Sequence, residues 1–182
     1  MTGKSGVERN DKPRSGYGGR TIVIGYGNID RADDGVAYFV IDVLRRSLGR
    51  DALKEDETGL EELGGKIDSV FLQQLTPDLL DVIADYDEVV FVDAHVDGKL
   101  DALHCASVVP EEAALAFAHH ITPDMLMAWF QALYHRKPSA RIVSIKGCDF
   151  DFRRGLSSDT AELVEPAVRL ILKEDMALRK KP

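Results

Sequence analysis

Short apolar runs alternate with longer amphipathic segments along most of the chain. The runs are rich in β-branched residues, which is typical of strands covered on both faces of a sheet. The segments between them repeat apolar residues at helical spacing: Val36, Val40 and Val43 lie on one side of a helix predicted to start at Asp33 and to end near Gly49. The pattern predicts strands at 21–25, 67–75, 87–95, 102–109 and 140–149, and further helices at 76–86, 121–135 and 157–175.

This order of strands and helices predicts an α/β fold, because repeated βαβ units build a parallel sheet with helices on both faces. We expect a three-layer αβα sandwich with a mostly parallel five-stranded sheet, in which 102–109 is an edge strand. A length of 182 residues suits a single domain. We place a disordered extension at 1–20, the α/β domain at 21–175 and a charged tail at 176–182; Asp159 and Glu162 could form a capping box in the last helix.

Charge and composition exclude several classes of partner. A net charge of −8 and a pI near 5.1 argue against binding to nucleic acid or to anionic membrane surfaces. No apolar run approaches the roughly 20 residues that span a bilayer, and the first residues lack the apolar centre of a secretory signal. Cys105 and Cys148 have no CxxC spacing, so we expect free thiols in a reducing cytoplasm.

The segment GYGNIDRADDG, residues 25–35, joins the first strand to the first helix. Its glycines suggest a dinucleotide-binding turn, in which the backbone approaches a pyrophosphate at a helix N-terminus. Two features disfavour that interpretation: Asp30 stands where the third glycine is needed, and Asp33 and Asp34 would repel a phosphate.

A cation explains the adjacent carboxylates better. Asp33 can cap the helix, but capping does not require a second acid, so Asp34 is free to face a cation. Asp93 ends the third strand, and a 2-1-3 strand order would bring it beside the end of the first strand, where open sheets bind ligands. The alternative for Asp93 is a strand-end residue that binds nearby backbone amides.

Histidines supply the third group of candidates. His119 and His120 precede the helix at 121–135 and can reach the same edge of the sheet, while His95 lies two residues after Asp93 on the same strand face. Imidazole together with carboxylate suits a borderline divalent ion such as nickel or zinc.

These motifs together resemble the endopeptidases that mature nickel-iron hydrogenases. That family opens with an apolar strand, Gly-x-Gly-Asn and an acidic pair, as GYGNIDRADDG does, and continues with an Asp that closes the third strand and a His before a helix, matched by FVDA and HHITP. The resemblance covers roughly residues 20–172. Two departures are Ala37, where a second glycine is common, and QQLTPDL, which replaces a Gly-rich turn and bears on which hydrogenase is recognised.

The resemblance implies removal of the C-terminal extension of the hydrogenase large-subunit precursor, after nickel has been inserted into that precursor. Nickel would be supplied by the substrate, and the isolated protein could hold another divalent metal such as zinc. The family's metal-binding positions fall on Asp34, Asp93 and His120; His119, Asp124 and His95 are reserve candidates, and Gly25, Gly27 and Asn28 form the substrate loop.

The roles of the two carboxylates stay open between catalysis and metal recognition. Asp34 or Asp93 could act as general base toward water, or both could bind the metal without taking part in the chemistry. A second class of function is a non-catalytic maturation chaperone that binds the metallocentre without cutting the precursor. A nucleotide-binding module is the third.

Overall fold

The computed structural model describes residues 19–110 and 120–178, and its strands form one five-stranded sheet. The strands are β1 (Thr21–Tyr26), β2 (Ile67–Leu72), β3 (Glu88–His95), β4 (Leu103–Ser107) and β5 (Ser139–Lys146). They lie in the order β2-β1-β3-β5-β4, with β4 antiparallel to β5 at one edge and all other neighbours parallel. This arrangement confirms the mostly parallel sheet and the edge strand.

Helices cover both faces of the sheet, as predicted. They are α1 (Val36–Ser47), α2 (Leu79–Ile83), α3 (Pro123–Tyr134), α4 (Ser158–Ala161) and α5 (Val164–Leu178), with 3-10 turns at Ala32–Gly35 and Leu60–Glu62. Successive strand side chains point to opposite faces, so Val23 and Val90 pack with α1 and α5 whereas Ile22 and Phe91 pack with α2 and α3. No helix in the described ranges is long and apolar enough to cross a membrane.

The strand order creates a crevice at one edge of the sheet. The chain leaves β1 toward β2 on one side and leaves β3 toward β5 on the other, so the connections diverge at the carboxyl ends of β1 and β3. Open α/β sheets bind ligands at such a divergence because no crossover covers the strand ends there. The predicted 2-1-3 order is therefore confirmed.

Two predicted elements are shorter than expected, and both changes affect this edge. Strand β2 ends at Leu72 instead of residue 75, and α2 covers only residues 79–83 of the predicted 76–86. The residues between β2 and α2, 73–78, form a loop at the carboxyl end of β2, with Gln73 and Gln74 exposed.

The C-terminal helix predicted at 157–175 is two helices, and the predicted Asp159–Glu162 capping box is wrong. The side chain of Ser157 caps α4 by accepting a hydrogen bond from the amide of Thr160. Pro166 has no amide hydrogen to donate to the Glu162 carbonyl, and its ring would clash with that carbonyl in a continuous helix. The helix is therefore broken between Ala161 and Val164, and Pro166 lies in the first turn of α5. Helix α5 continues to Leu178; residues 179–182 of the predicted tail and 1–18 of the predicted extension lie outside the described residues.

A buried carboxylate organises the opposite, amino-terminal edge of the sheet. Asp68 is fully buried and accepts hydrogen bonds from the amides of Gly64 and Gly65, from Tyr86 Oη at 2.7 Å, and from Arg20 and Arg50. Burial raises the pKa of Asp68, but these hydrogen bonds outweigh it and hold the pKa at about 2. Arg20 therefore belongs to the folded domain although the sequence placed it in the extension.

This anchor makes the stability of the protein acid-sensitive. Because the folded pKa of Asp68 lies below its ordinary value of 3.8, its stabilisation is complete above pH 4 and is lost as the pH falls toward 2. We expect Asp68→Asn to lower the free energy of unfolding at pH 7 by about 2 kcal/mol and to flatten its pH dependence between pH 5 and 2.5. Urea unfolding at several pH values measures this; Asp56→Asn, at an exposed carboxylate, is the control. An unchanged pH dependence in Asp68→Asn would contradict the assignment.

Candidate active site

A cleft of about 550 Å³ opens at the carboxyl ends of β1 and β3. The principal predicted residues Asp34, Asp93 and His120, which come from three distant parts of the chain, all line it. The other lining residues are Tyr26, Gly27, Gln73, Gln74, Leu75, Thr76, Pro77, Ile121 and Thr122.

The tight turn after β1 brings Asp34 to the cleft. Gly27 has a φ of +142°, and a Cβ atom there would lie 2.1 Å from the carbonyl oxygen of Asp34, so the turn closes only with glycine at this position. The Asn28 amide donates to Asp34 Oδ2 at 3.1 Å. Of the predicted substrate loop, Gly27 lines the cleft; the Asn28 amide, which a phosphate-binding turn would offer to its ligand, is instead bonded to Asp34.

Asp33 has a different role from the helix cap that the sequence suggested. Helix α1 starts after Gly35 without a side-chain cap, and the carboxylate of Asp33 is fully buried. It accepts hydrogen bonds of 2.7–2.9 Å from five donors: the amides of Cys148, Asp149 and Ser157 and the hydroxyls of Ser157 and Thr160. Burial raises the pKa of Asp33, but these donors outweigh it and hold the pKa at about 2. The prediction failed because the competing donors come from residues more than 110 positions away.

The surroundings of Asp93 disfavour its charge. Its pKa is raised to about 6, chiefly by burial and to a smaller extent by the nearby charge of Asp34, although hydrogen bonds from the Tyr26 hydroxyl and the Ala94 amide lower it. The Ala94 amide donates to Asp93 Oδ1 at 2.7 Å, so Asp93 does bind a neighbouring amide, as the alternative interpretation held. Asp93 also lines the cleft, which a strand-end residue that only binds a neighbouring amide would not need to do.

Tyr26 is a cleft residue that sequence reasoning missed. Its hydroxyl is hydrogen-bonded to Asp93, and its pKa is raised by burial and by the charges of Asp93 and Asp124. The hydroxyl therefore stays protonated and acts as a donor. Tyr26 is the variable residue of the Gly-x-Gly turn, so the motif drew no attention to it; the alternation of Ile22, Ile24 and Tyr26 along β1 was the available signal.

The third principal candidate, His120, and the reserve candidates differ in where they lie. His120 is exposed at the rim of the cleft, and His119 is outside the described residues. His95 does not line the cleft; its Nε2 lies 3.2 Å from the Asp101 carbonyl oxygen. Asp124, in the first turn of α3, is close enough to Tyr26 to raise the pKa of that hydroxyl.

The charge of the cleft is one-sided. None of the described residues that line it is lysine or arginine, so Asp34 and Asp93 repel each other without a cationic side chain between them. Within residues 19–110 and 120–178, no three His, Cys, Asp or Glu side chains are grouped closely enough to hold a metal ion. The cleft thus presents oxygen and nitrogen donors along its walls rather than a closed coordination shell.

The fold is that of the hydrogenase maturation proteases, which confirms the predicted resemblance at the level of the fold. The hydrogenase maturating endopeptidase HybD from E. coli aligns with a TM-score of 0.61 and 18% identity over 85% of this chain and 91% of that one. The [NiFe] hydrogenase maturation protease HycI from Thermococcus kodakarensis aligns with a TM-score of 0.58 and 19% identity over 85% and 90%. The hydrogenase 2 maturation peptidase from a Thaumarchaeota archaeon gives 0.55 and 19% over 85% and 97%. The sequence matches no protein-family model and no curated protein.

The environment of Asp93 predicts that removing its charge stabilises the protein. Because its folded pKa is raised from 3.8 to about 6, ionisation destabilises the folded state increasingly as the pH rises from 4 to 7. We expect Asp93→Asn to increase the free energy of unfolding by about 1–2 kcal/mol at pH 7.5, a modest gain because partial exposure screens the charge. At pH 4 the gain should be small, because Asp93 is then protonated in the folded state. Denaturant unfolding at both pH values measures the difference. A variant less stable than wild type at pH 7.5 would contradict it.

Proposed function

We propose that the protein is an endopeptidase of the hydrogenase maturation family, which removes the C-terminal extension of a nickel-loaded hydrogenase large-subunit precursor. The observation that carries the proposal is the cleft, where Asp34 and Asp93 face each other without a lysine or arginine among the described lining residues. A divalent cation would relieve this repulsion. The shared fold with named maturation endopeptidases adds the reaction class.

Nickel belongs to the substrate in this proposal. Carboxylate and imidazole together suit a borderline ion such as nickel, and the walls of the cleft carry both. An open arrangement of donors suits an ion that arrives with ligands of its own from the precursor, because the protein then needs to supply only part of the coordination shell. Zinc in the isolated protein stays a prediction.

The reaction is hydrolysis of one peptide bond. A carboxylate of the cleft accepts a proton from water as the water oxygen bonds to the scissile carbonyl carbon; the proton then passes to the amide nitrogen as the C–N bond breaks. Asp93 suits the role of general base, since a pKa of about 6 leaves it mostly ionised at neutral pH while keeping it a stronger base than an ordinary carboxylate.

The loop after β2 supplies the wall that meets the polypeptide. Gln73 and Gln74 are exposed and line the cleft together with Thr76. Their carboxamides and hydroxyl can both donate to and accept from an extended peptide backbone. This is the segment in which the chain departs from the Gly-rich turn of the family, so we assign to it the choice of precursor.

Incubation with nickel-loaded precursor tests the function. We expect the wild type to produce a shortened large subunit, detected by mass spectrometry, and to leave nickel-free precursor intact. Asp34→Asn should lower the rate at least 100-fold because it removes a charge from the cleft. Asp30→Asn is the matched control, since the carboxylate of Asp30 lies on the same turn but pairs with Arg154 and does not line the cleft.

Normal processing by Asp34→Asn would remove this residue from the mechanism and leave the endopeptidase in place. Two other results would reject the endopeptidase. A stable complex with unshortened precursor would indicate the maturation chaperone instead. Protection of the protein by a nucleotide in a thermal melt, without any response to the precursor, would indicate a nucleotide-binding module.

A paired substitution distinguishes the candidates for the third metal-binding position. His120 is exposed at the rim of the cleft, whereas Asp124 is half-buried near Tyr26 and is not among the residues that line the cleft. If His120 contacts nickel, His120→Ala should slow processing 10- to 100-fold and Asp124→Asn should leave it within about threefold of wild type. The reverse order, measured in the same mass-spectrometric assay, would assign the position to Asp124 and make the three protein ligands all carboxylates.

A further inference from the structure

We propose that Tyr26 is a positioning residue for Asp93: its hydroxyl holds the carboxylate in the orientation that faces the substrate. The inference rests on the proposed function, because that function makes Asp93 a group that contacts metal or water. The chain carries Tyr26 at the variable position of the Gly-x-Gly turn, so the role belongs to this protein's own residue rather than to the motif.

The sheet places Tyr26 and Asp93 side by side. In the parallel pairing of β1 with β3, Gly25 lies opposite Val92, and the next residues along the two strands are Tyr26 and Asp93. Tyr26 packs with the cluster on the α2 and α3 face of the sheet, and its hydroxyl reaches the Asp93 carboxylate.

The backbone around Tyr26 is fixed on both sides. It pairs with Leu72 in β2, and the amide of Gly27 donates to the Leu72 carbonyl at 3.1 Å. Gly27 itself is in close contact with Asp34, where a Cβ atom would not fit. This pairing fixes the backbone at Tyr26, and the packing of its ring against the cluster on the α2 and α3 face limits how far the hydroxyl that donates to Asp93 can move.

The hydrogen bond from Tyr26 restricts the orientation of the Asp93 carboxylate and leaves some of its lone pairs available. A carboxylate offers about four acceptor positions; the Ala94 amide takes one at Oδ1 and the Tyr26 hydroxyl takes another. The remaining lone pairs can bind a metal ion or a water molecule. Donors of this kind orient carboxylates that ligate metals, and their loss costs 10- to 100-fold in affinity or activity.

A second tyrosine–aspartate hydrogen bond lies outside the cleft, has a structural role and supplies the matched control. Tyr86 donates to Asp68 at the opposite edge of the sheet, where Asp68 is fully buried. Two backbone amides and two arginine side chains also donate to Asp68, so no acceptor position faces a cleft. Removing one tyrosine hydroxyl from each pair compares a positioning role with a structural one.

The experiment compares Tyr26→Phe with Tyr86→Phe in the processing assay. Tyr26→Phe keeps the ring in its cluster and removes the hydroxyl, so we expect a kcat 10- to 100-fold below wild type, a KM for the precursor within about threefold, and little change in Tm. Tyr86→Phe should show the opposite pattern, with a lower Tm and a kcat within about threefold of wild type at a temperature where it is folded.

A crystal structure of Tyr26→Phe provides a readout that does not depend on cleavage. The Asp93 carboxylate should turn away from its wild-type orientation. An unmoved carboxylate, or a kcat equal to that of wild type, would overturn the proposal. If wild-type protein fails to cut the precursor, the proposed function is rejected and the carboxylate orientation alone decides whether Tyr26 positions Asp93.

Discussion

The carboxylate of Asp33 is the interaction on which the arrangement of the site depends. It is fully buried and saturated by five donors from residues 148–160, so it ties the turn after β1 to the loop after β5 and to the start of α4. Such a charge is tolerated in the interior only because it is fully hydrogen-bonded. With Asp33 committed inward, its neighbour Asp34 is directed to the cleft. The two adjacent acids therefore have different surroundings: Asp33 ties the loops together, and Asp34 lines the cleft.

The two edges of the sheet treat charge in opposite ways. At the amino-terminal edge, Asp68 is paired with Arg20 and Arg50, and Glu88 is paired with Arg141. At the carboxyl edge, the carboxylates of the cleft meet no lysine or arginine among the described lining residues. Unrelieved repulsion lowers stability, and proteins retain it at sites that bind or react with a ligand. Charge balance, rather than the number of acids, separates the carboxylates of the cleft from those of the amino-terminal edge.

Most of the fold could be predicted from the sequence because strands buried on both faces of a sheet appear as continuous apolar, β-branched runs, and these runs alternate with segments of helical periodicity. The boundaries that failed have identifiable physical causes. Pro166 interrupts the predicted last helix, and β2 ends three residues early, which frees Gln73 and Gln74 to line the cleft. Asp34 could be named in advance because it is the second acid of the turn after β1, and Asp93 because it ends the apolar run of β3. Tyr26 could not, since a partly buried tyrosine at a strand end looks like core until its hydrogen-bond partner is known.

The sequence by itself determined the fold class, the tight glycine turn after β1, and the acids at positions 34 and 93 as candidates, because these follow from local periodicity and local motifs. The tertiary structure alone decided which acid of the pair is buried, that Tyr26 donates to Asp93, and that His95 lies away from the cleft. Those outcomes depend on donors and charges brought together from distant positions. Hydrogen bonding and burial depend on which residues are close in space, and a single sequence does not show which distant residues the folded chain brings together.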